Sequence, residues 1–265
     1  MLPTWHREGP FCRPDPGACG RPGTLKGRFA DLTPNLPGDA GGGGGVSGAE
    51  DDTMEKIGVI GSGAVGQTLA KGFKQHGYDV RIASRTPAKL KDFSAQSGIP
   101  AVTFAEAAAW GDVIVLAVHG AAAQEAARTA GAQNLSGKVV IDTTNPIKEA
   151  PPVDGVLQYF TGPNTSLLEE LQRAFPQARF VKAFSSVGNT RMVNPAMSAK
   201  PTMFICGNDA DAKKWVSALL ETFGWEAADM GNAVAARAIE PLAMLWCIPG
   251  FQRNHWTHAF KVVWD

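Results

Sequence analysis

From Lys56 onward the chain alternates short apolar runs with stretches whose apolar residues recur at helical spacing, the pattern of parallel strands joined by crossover helices. Lys56–Ile60 predicts a strand, Gly61–Gly66 a tight turn, Gln67–His76 a helix closed by Gly77, and Asp79–Ala83 a second strand. Thr86 is placed to cap a helix that begins at Pro87 and continues through Ala88–Gln96, since a proline there gives up only an amide hydrogen that has no helical partner. Thr103 and Glu106 have the spacing of a capping box for a short helix.

Asp112–Val118 and Lys138–Asp142 are nearly continuous apolar runs, which marks strands buried on both faces, with Ala121–Ala130 as the helix between them. Ser166–Phe175 is amphipathic, Arg179–Phe184 and Thr202–Cys206 read as further strands, Ala210–Phe223 as a helix stopped by Gly224, and Trp225–Asp229 as a last strand. Ala233–Ile248 is apolar almost all round and carries a kinking Pro241; it predicts a helix buried against the sheet or in a homodimer interface. The fold class that results is α/β: a Rossmann-like, doubly wound, mostly parallel sheet with helices on both faces and a buried C-terminal helix.

Composition divides the chain at residue 53. Residues 1–53 hold 12 of the 30 Gly and 7 of the 18 Pro, and seven acidic residues stand there against five basic ones. Such a segment has too little apolar surface to offset the entropy of ordering, and disorder is expected. It lacks the apolar core of a secretory signal and the acid-poor character of a transit peptide. Residues 54–265 form the expected dinucleotide-binding domain, with Met54 expected as the natural start.

The 25 basic residues are balanced by 25 acidic ones, so the surplus that nucleic-acid binding draws on is absent and no nucleic-acid partner is expected. Ile239–Phe251, the longest apolar stretch, is interrupted by Glu240, Pro241 and Pro249 and falls short of the roughly 20 residues of a bilayer span, so no membrane partner is expected either. Cys12, Cys19, Cys206 and Cys247 lack zinc-site spacing; the last two read as small core residues in a reducing, cytoplasmic compartment.

Gly61-Ser62-Gly63-Ala64-Val65-Gly66 fits the dinucleotide fingerprint in its required context, a strand before and a helix after. Gly61 permits the sharp turn, Gly63 the close approach of a diphosphate, and Gly66 the packing of helix on strand. The end of the second strand chooses between nicotinamide cofactors, because an acid there bonds the ribose hydroxyls of NAD and repels the extra phosphate of NADP. This chain has Ser84, Arg85 and Lys89 in that region and no acid, which favours NADP.

Ala117-Val118-His119 and Thr143-Thr144-Asn145-Pro146 follow two more strands and face the same crevice. Asn145 suits either orientation of the nicotinamide ribose or initiation of a turn before Pro146. His119, a loop histidine with no visible partner, reads as polar surface more readily than as an acid or base. Neither Tyr78 nor Tyr159 is followed four residues later by Lys, so short-chain dehydrogenase chemistry is excluded; no metal-ligand cluster and no nucleophile elbow are expected.

With those motifs, residues 56–264 resemble the F420-dependent NADP oxidoreductases, in their bacterial branch. The resemblance rests on Ile57–Gly63, Ala83-Ser84-Arg85, Ile141–Pro146, Phe180–Phe184, Pro201–Gly207 and Glu240–Trp246. It implies that NADP lies along the fingerprint, with Ser62, Gly63, Ala64 and Val65 at the diphosphate, Ser84, Arg85 and Lys89 at the 2′-phosphate, and Ala117 and Val118 along the path to the nicotinamide. It also implies a small-molecule redox partner, a flavin or the deazaflavin coenzyme F420, and no catalytic side chain, because hydride passes directly between two rings. Two alternatives stand beside it: a β-hydroxyacid or imine reductase, for which Lys213 and Lys214 are the only late-helix lysines, and an NADP sensor without turnover.

Because residues 1–53 offer no core, their deletion is expected to leave melting temperature and cofactor affinity unchanged; a fall of several degrees in thermal denaturation would show that the segment packs.

Overall fold

Five parallel pairings build a six-stranded sheet from β1 (Lys56–Ile60), β2 (Asp79–Ala83), β3 (Ala101–Val102), β4 (Val113–Leu116), β5 (Val139–Asp142) and β6 (Arg179–Lys182), in the order β3-β2-β1-β4-β5-β6. The computed structural model describes residues 55–265, so the disorder expected for residues 1–53 and the start expected at Met54 lie outside the described residues. The doubly wound α/β fold is the one the apolar pattern predicts. Register aligns Ile60 with Ala83 on one side and Leu116 on the other, Leu116 with Asp142, and Asp142 with Lys182. The carboxyl ends of five strands thus finish in one row, and the strand order reverses between β1 and β4, where such folds place their ligand crevice.

The sheet is covered on both faces. Ile57 and Val59 pack with Leu69 and Phe73 of α1 (Ala64–Gln75) and with Val216 and Leu220 of α7 (Ala210–Thr222). Ile60, Ile114 and Leu116 belong to the opposite core, with Ala107 of α3 (Phe104–Trp110), Ala126 of α4 (Ala123–Ala130) and Leu171 of α6 (Leu167–Ala174). Strict in-and-out alternation across a sheet sandwiched between two helical layers is why both strand faces are apolar.

Several boundaries differ from the sequence expectation, each for a local reason. The expected helix at Gln67 starts at Ala64, so it begins inside the fingerprint. Thr86 makes no side-chain cap; a 3₁₀ turn over Pro87–Leu90 precedes α2 (Lys91–Ser97). The Thr103–Glu106 capping box is present as expected. A 3₁₀ turn over Gly120–Ala122 takes the first residues expected for α4, and α5 (Ala132–Leu135) follows it. β4 ends at Leu116 and β6 at Lys182, because the chain must turn at the crevice; Phe184, buried, has φ of 60°. β7 (Thr202–Ile205) and β8 (Glu226–Asp229) pair in parallel with each other, and an antiparallel bridge between Lys182 and Cys206 joins them to β6. Trp225 and Cys206 therefore lie outside the strands predicted to hold them.

The last helical pattern is split. α8 (Ala236–Ile239) stops at Glu240-Pro241, and α9 (Leu242–Arg253) carries Pro249 inside and ends at Asn254 in a left-handed conformation. Counted together, Ala233–Arg253 is long and apolar enough by length and composition to cross a membrane, which overturns the argument from interrupted length. Glu240 nevertheless sits in the middle of it, 1% exposed, its carboxylate turned into the domain. α9 buries Ala243, Trp246, Cys247 and Gly250 against the domain, as expected, and leaves Leu245 55% exposed.

Glu240 meets the end of the sheet through Lys182. The Lys182 ammonium is fully buried, 2.6 Å from Asp142 Oδ2 and 2.9 Å from Glu240 Oε1. Burial by itself pulls the lysine pKa down, but the two carboxylates more than offset this and hold it above the ordinary lysine value. Glu240 also accepts hydrogen bonds from the amides of Leu167 and Leu168, both at 3.0 Å. With the Ser166 hydroxyl taking the Glu169 amide, the first turn of α6 is completely satisfied.

Glu240→Ala would orphan two buried amide donors, each costing about 1–3 kcal/mol. A loss of about 2–4 kcal/mol in urea unfolding is expected, and Glu240→Gln, which keeps an acceptor there, should lose less.

Candidate functional site

The crevice begins where β1 ends. Gly61 has φ of 136°, and a Cβ there would stand 2.0 Å from the Ala117 carbonyl oxygen, so both conformation and space require glycine. A Cβ on Gly66 would stand 2.1 Å from the Gly61 oxygen, which fixes the close contact of α1 with the turn. Gly63 is different: its Cβ would meet no atom of the chain within 4 Å. Nothing in the folded chain demands glycine at that position, and the open space it borders lies over the N-terminus of α1.

That helix end is prepared for an anion. Gly63 is the N-cap and supplies no side-chain acceptor, and the first turn contains no acid. The amides of Ala64, Val65 and Gly66 therefore face outward with the positive end of a 12-residue helix behind them. Gln67 braces the turn by donating to the Ser62 carbonyl at 2.8 Å. Ser62, Gly63, Ala64 and Val65 are the accessible members of the motif, while Gly61 and Gly66 are buried.

Beyond β2, Ser84 is buried and its hydroxyl oxygen accepts the Thr86 amide at 3.1 Å, shaping the turn that presents Arg85. Arg85 and Lys89 are both exposed, and neither side chain makes an ion pair or hydrogen bond among the described residues. Arg81, by contrast, is occupied over the Trp110 ring at 4.2 Å. Two free cations beside a helix start, where positive charge is disfavoured, suit a phosphate better than they suit the chain.

The far end of the crevice is built by β4, β5 and β6. Ala117 is buried against the Gly61 turn and Val118 is partly exposed beside it. His119 is exposed and engages no side chain among the described residues. Asn145 donates through Nδ2 to the Ser185 carbonyl at 2.7 Å, so it ties the β5 end to the β6 end, and its Oδ1 is buried without a partner. Ser185 Oγ is also buried and unpartnered. Sequence reasoning missed Ser185 entirely; as the residue after a buried Phe in the left-handed region it carries no motif. Asn189 reaches back to Thr68 of α1 at 3.2 Å and closes this side.

The structure thus brings all twelve predicted residues to one edge of the sheet: Gly61 to Gly66, Ser84, Arg85, Lys89, Ala117, Val118 and Asn145. Two surface cavities lie off this line. One of about 370 Å³ includes Gly120, Arg128, Phe160 and Glu170, and one of about 300 Å³ includes Tyr159, Arg237 and Met244. Lys213 is held by Asp229 at 2.9 Å, so it is not a free proton donor. Burial pushes the Cys206 thiol up to about 12 and the Cys247 thiol up to about 11, which leaves both as neutral core groups.

Fold and crevice define a dinucleotide-binding α/β protein of the Rossmann class. The family described as "NADP oxidoreductase coenzyme F420-dependent" matches residues 56–146. Over its whole length, a protein of known structure from Arthrobacter sp. FB24, named as a candidate F420-dependent NADP reductase, is 31% identical with a TM-score of 0.74, covering 80% of this chain and 100% of that one. The chain belongs to the F420-dependent NADP oxidoreductase family. The F420-dependent NADP reductase of Methanocaldococcus jannaschii is 27% identical over 168 residues, 62% of this chain and 74% of the relative. Metalloreductase STEAP3 of Rattus norvegicus is 29% identical over 199 residues; that is 73% of this chain but 38% of the metalloreductase, so the chain spans well under half of that relative.

The glycines separate packing from binding. Gly66→Ala is expected to cost about 1–3 kcal/mol of stability without any ligand, as overpacking does, whereas Gly63→Val, a poorer N-cap but free of steric conflict, should cost no more than about 1 kcal/mol, stay folded and lose dinucleotide binding. Unchanged NADPH affinity in a folded Gly63→Val protein would take the fingerprint out of the site.

Proposed function

We propose that the protein is a cytoplasmic enzyme that transfers hydride between NADP(H) and a flavin or deazaflavin acceptor such as coenzyme F420. The observation that carries this reading is the pairing of an uncapped helix N-terminus, open above Gly63, with two unengaged cations beyond β2. The amides from Ser62 to Val65 bind the diphosphate, and Arg85 and Lys89, with the Ser84 hydroxyl as donor, bind the 2′-phosphate. Ala117 and Val118 form the wall between the two halves, and Asn145 orients the nicotinamide end.

When bound, NADP(H) supplies a hydride donor or acceptor at its nicotinamide ring. The chain's part is to orient and to exclude water, for which it needs no proton donor. Beyond β5 the polar residues Thr143, Thr144 and Asn145 include no acid or base, and His119 beyond β4 engages no side chain among the described residues. Of the two lysines that the β-hydroxyacid and imine readings draw on, Lys213 is paired with Asp229 and Lys214 is exposed on α7. A homodimer through the C-terminal helix is supported by Leu245 of α9, a large apolar residue left 55% exposed.

NADPH oxidation measured with a deazaflavin, FMN, FAD and ferric chelates tests the acceptor class. Turnover with none of them, despite tight NADP binding, would favour the sensor.

Arg85→Ala is expected to weaken NADPH binding by roughly one to two orders of magnitude, since a hydrogen bond to a charged group contributes about 1.5–3 kcal/mol and 1.4 kcal/mol is tenfold. NADH affinity should change little. Lys89→Ala should have a smaller effect, because an exposed ammonium is screened. Equal losses for NADH and NADPH in direct titrations at fixed ionic strength would place Arg85 at the shared diphosphate instead.

A further inference from the structure

All three polar atoms of Thr144 are held by one buried ion pair. Its amide and its hydroxyl donate to Asp142 Oδ1 at 2.9 Å and 2.7 Å, and its carbonyl accepts from the Lys182 ammonium at 2.7 Å. Asp142 and Lys182 face each other in register at the last paired row of β5 and β6, so the grip acts at the first turn beyond the sheet. The next residue is Asn145, whose amide ties the two strand ends together and whose carbonyl lies so close to Gly120 that a Cβ there would stand 1.9 Å away. A displacement of Thr144 would therefore move Asn145 and press on the loop after β4.

The pair would be neutral by itself. Glu240 adds a second carboxylate to Lys182, and Tyr159 donates to the Glu240 carbonyl at 2.8 Å, so the joint between α8 and α9 is fastened to the same ammonium. None of these groups reaches the crevice surface: Lys182 and Asp142 are 0% exposed and Glu240 1%. The adenosine end of the crevice, from Gly63 to Arg85, receives no hydrogen bond or ion pair from Asp142, Lys182 or Glu240.

We propose that Lys182 is a positioning residue for the nicotinamide half of the cofactor: clamped between Asp142 and Glu240, it sets the Thr143–Asn145 turn and links that setting to the C-terminal helix. The assignment rests on the NADP reading above. Its signature is asymmetry, because the turn it holds lies at one end of the dinucleotide only.

The test uses the full-length chain and two ligands measured by calorimetry: adenosine 2′,5′-bisphosphate, which carries the adenosine end alone, and NADP⁺. In Lys182→Met, NADP⁺ is expected to bind at least tenfold more weakly while the bisphosphate stays within twofold of the parent. Glu240→Gln keeps an acceptor for α6 and withdraws one charge; it should show the same asymmetry at threefold or more, and it decides the matter if Lys182→Met does not fold. Equal weakening of both ligands would reduce Lys182 to a structural role, and no change in a folded variant would remove it from the site; either result overturns the proposal. A parent protein that binds neither ligand would overturn the NADP reading itself, and the assignment with it.

Discussion

A lysine with no exposure, set between two carboxylates that have none to spare, is the constraint around which this domain is arranged. Removing three charges from water is costly, and the attraction between them compensates only when every remaining donor and acceptor is also satisfied. That condition explains the surroundings. Asp142 takes two bonds from Thr144, Glu240 takes two from the start of α6, and the ammonium spends its third contact on the Thr144 carbonyl. The group carries one net negative charge, and the first turn of α6 is the source of positive potential it faces. Residues 142, 144, 167, 182 and 240 must therefore arrive together, which ties the sheet, its crevice turn and the C-terminal helices into one cooperative unit.

Much of the fold was legible because its causes are local. Continuous apolar runs identified the central strands, since burial on both faces leaves no room for alternation. The fingerprint was legible for a related reason: Gly66 is required by its contact with the Gly61 carbonyl five residues back, and Gly61 by its own positive φ, although its close neighbour is the remote Ala117 carbonyl. Arg85 could be picked out because the acid expected at the end of β2 in an NAD protein is absent. The Thr103–Glu106 box is local as well, and it formed as its spacing predicts.

What could not be read depends on partners remote in sequence. Lys182 sits in the run Phe180–Phe184, which read only as part of a strand, whereas its meaning comes from Asp142 and Glu240. Glu240 looked like an interruption in an apolar helix, an argument against a membrane span. It is an interruption because the helix must turn a carboxylate inward there, with Pro241 breaking the backbone pattern at the same point. β6 ended early for the same reason that Ser185 went unnoticed: the chain leaves the sheet through Phe184 in a left-handed conformation, which no residue type at that position announced.

These two kinds of cause divide the crevice. Its adenosine end, on the proposed reading, is carried by the first βαβ unit, from the turn at Gly61 to the cations after Ser84, with the Ala117 carbonyl packed against that turn. On the proposed reading its nicotinamide end is made where β4, β5 and β6 converge, and the contacts that tie those strand ends together cross long sequence intervals: Asn145 to Ser185, Thr144 to Lys182, Asn189 to Thr68. An end built that way inherits the state of whatever holds its remote partners. Here that includes the C-terminal helices, whose Glu240 is fastened inside while Leu245 stays uncovered outside. If the proposed function holds, cofactor choice rests largely on the turn after β2, whereas the geometry of the far end of the crevice is a property of the whole domain.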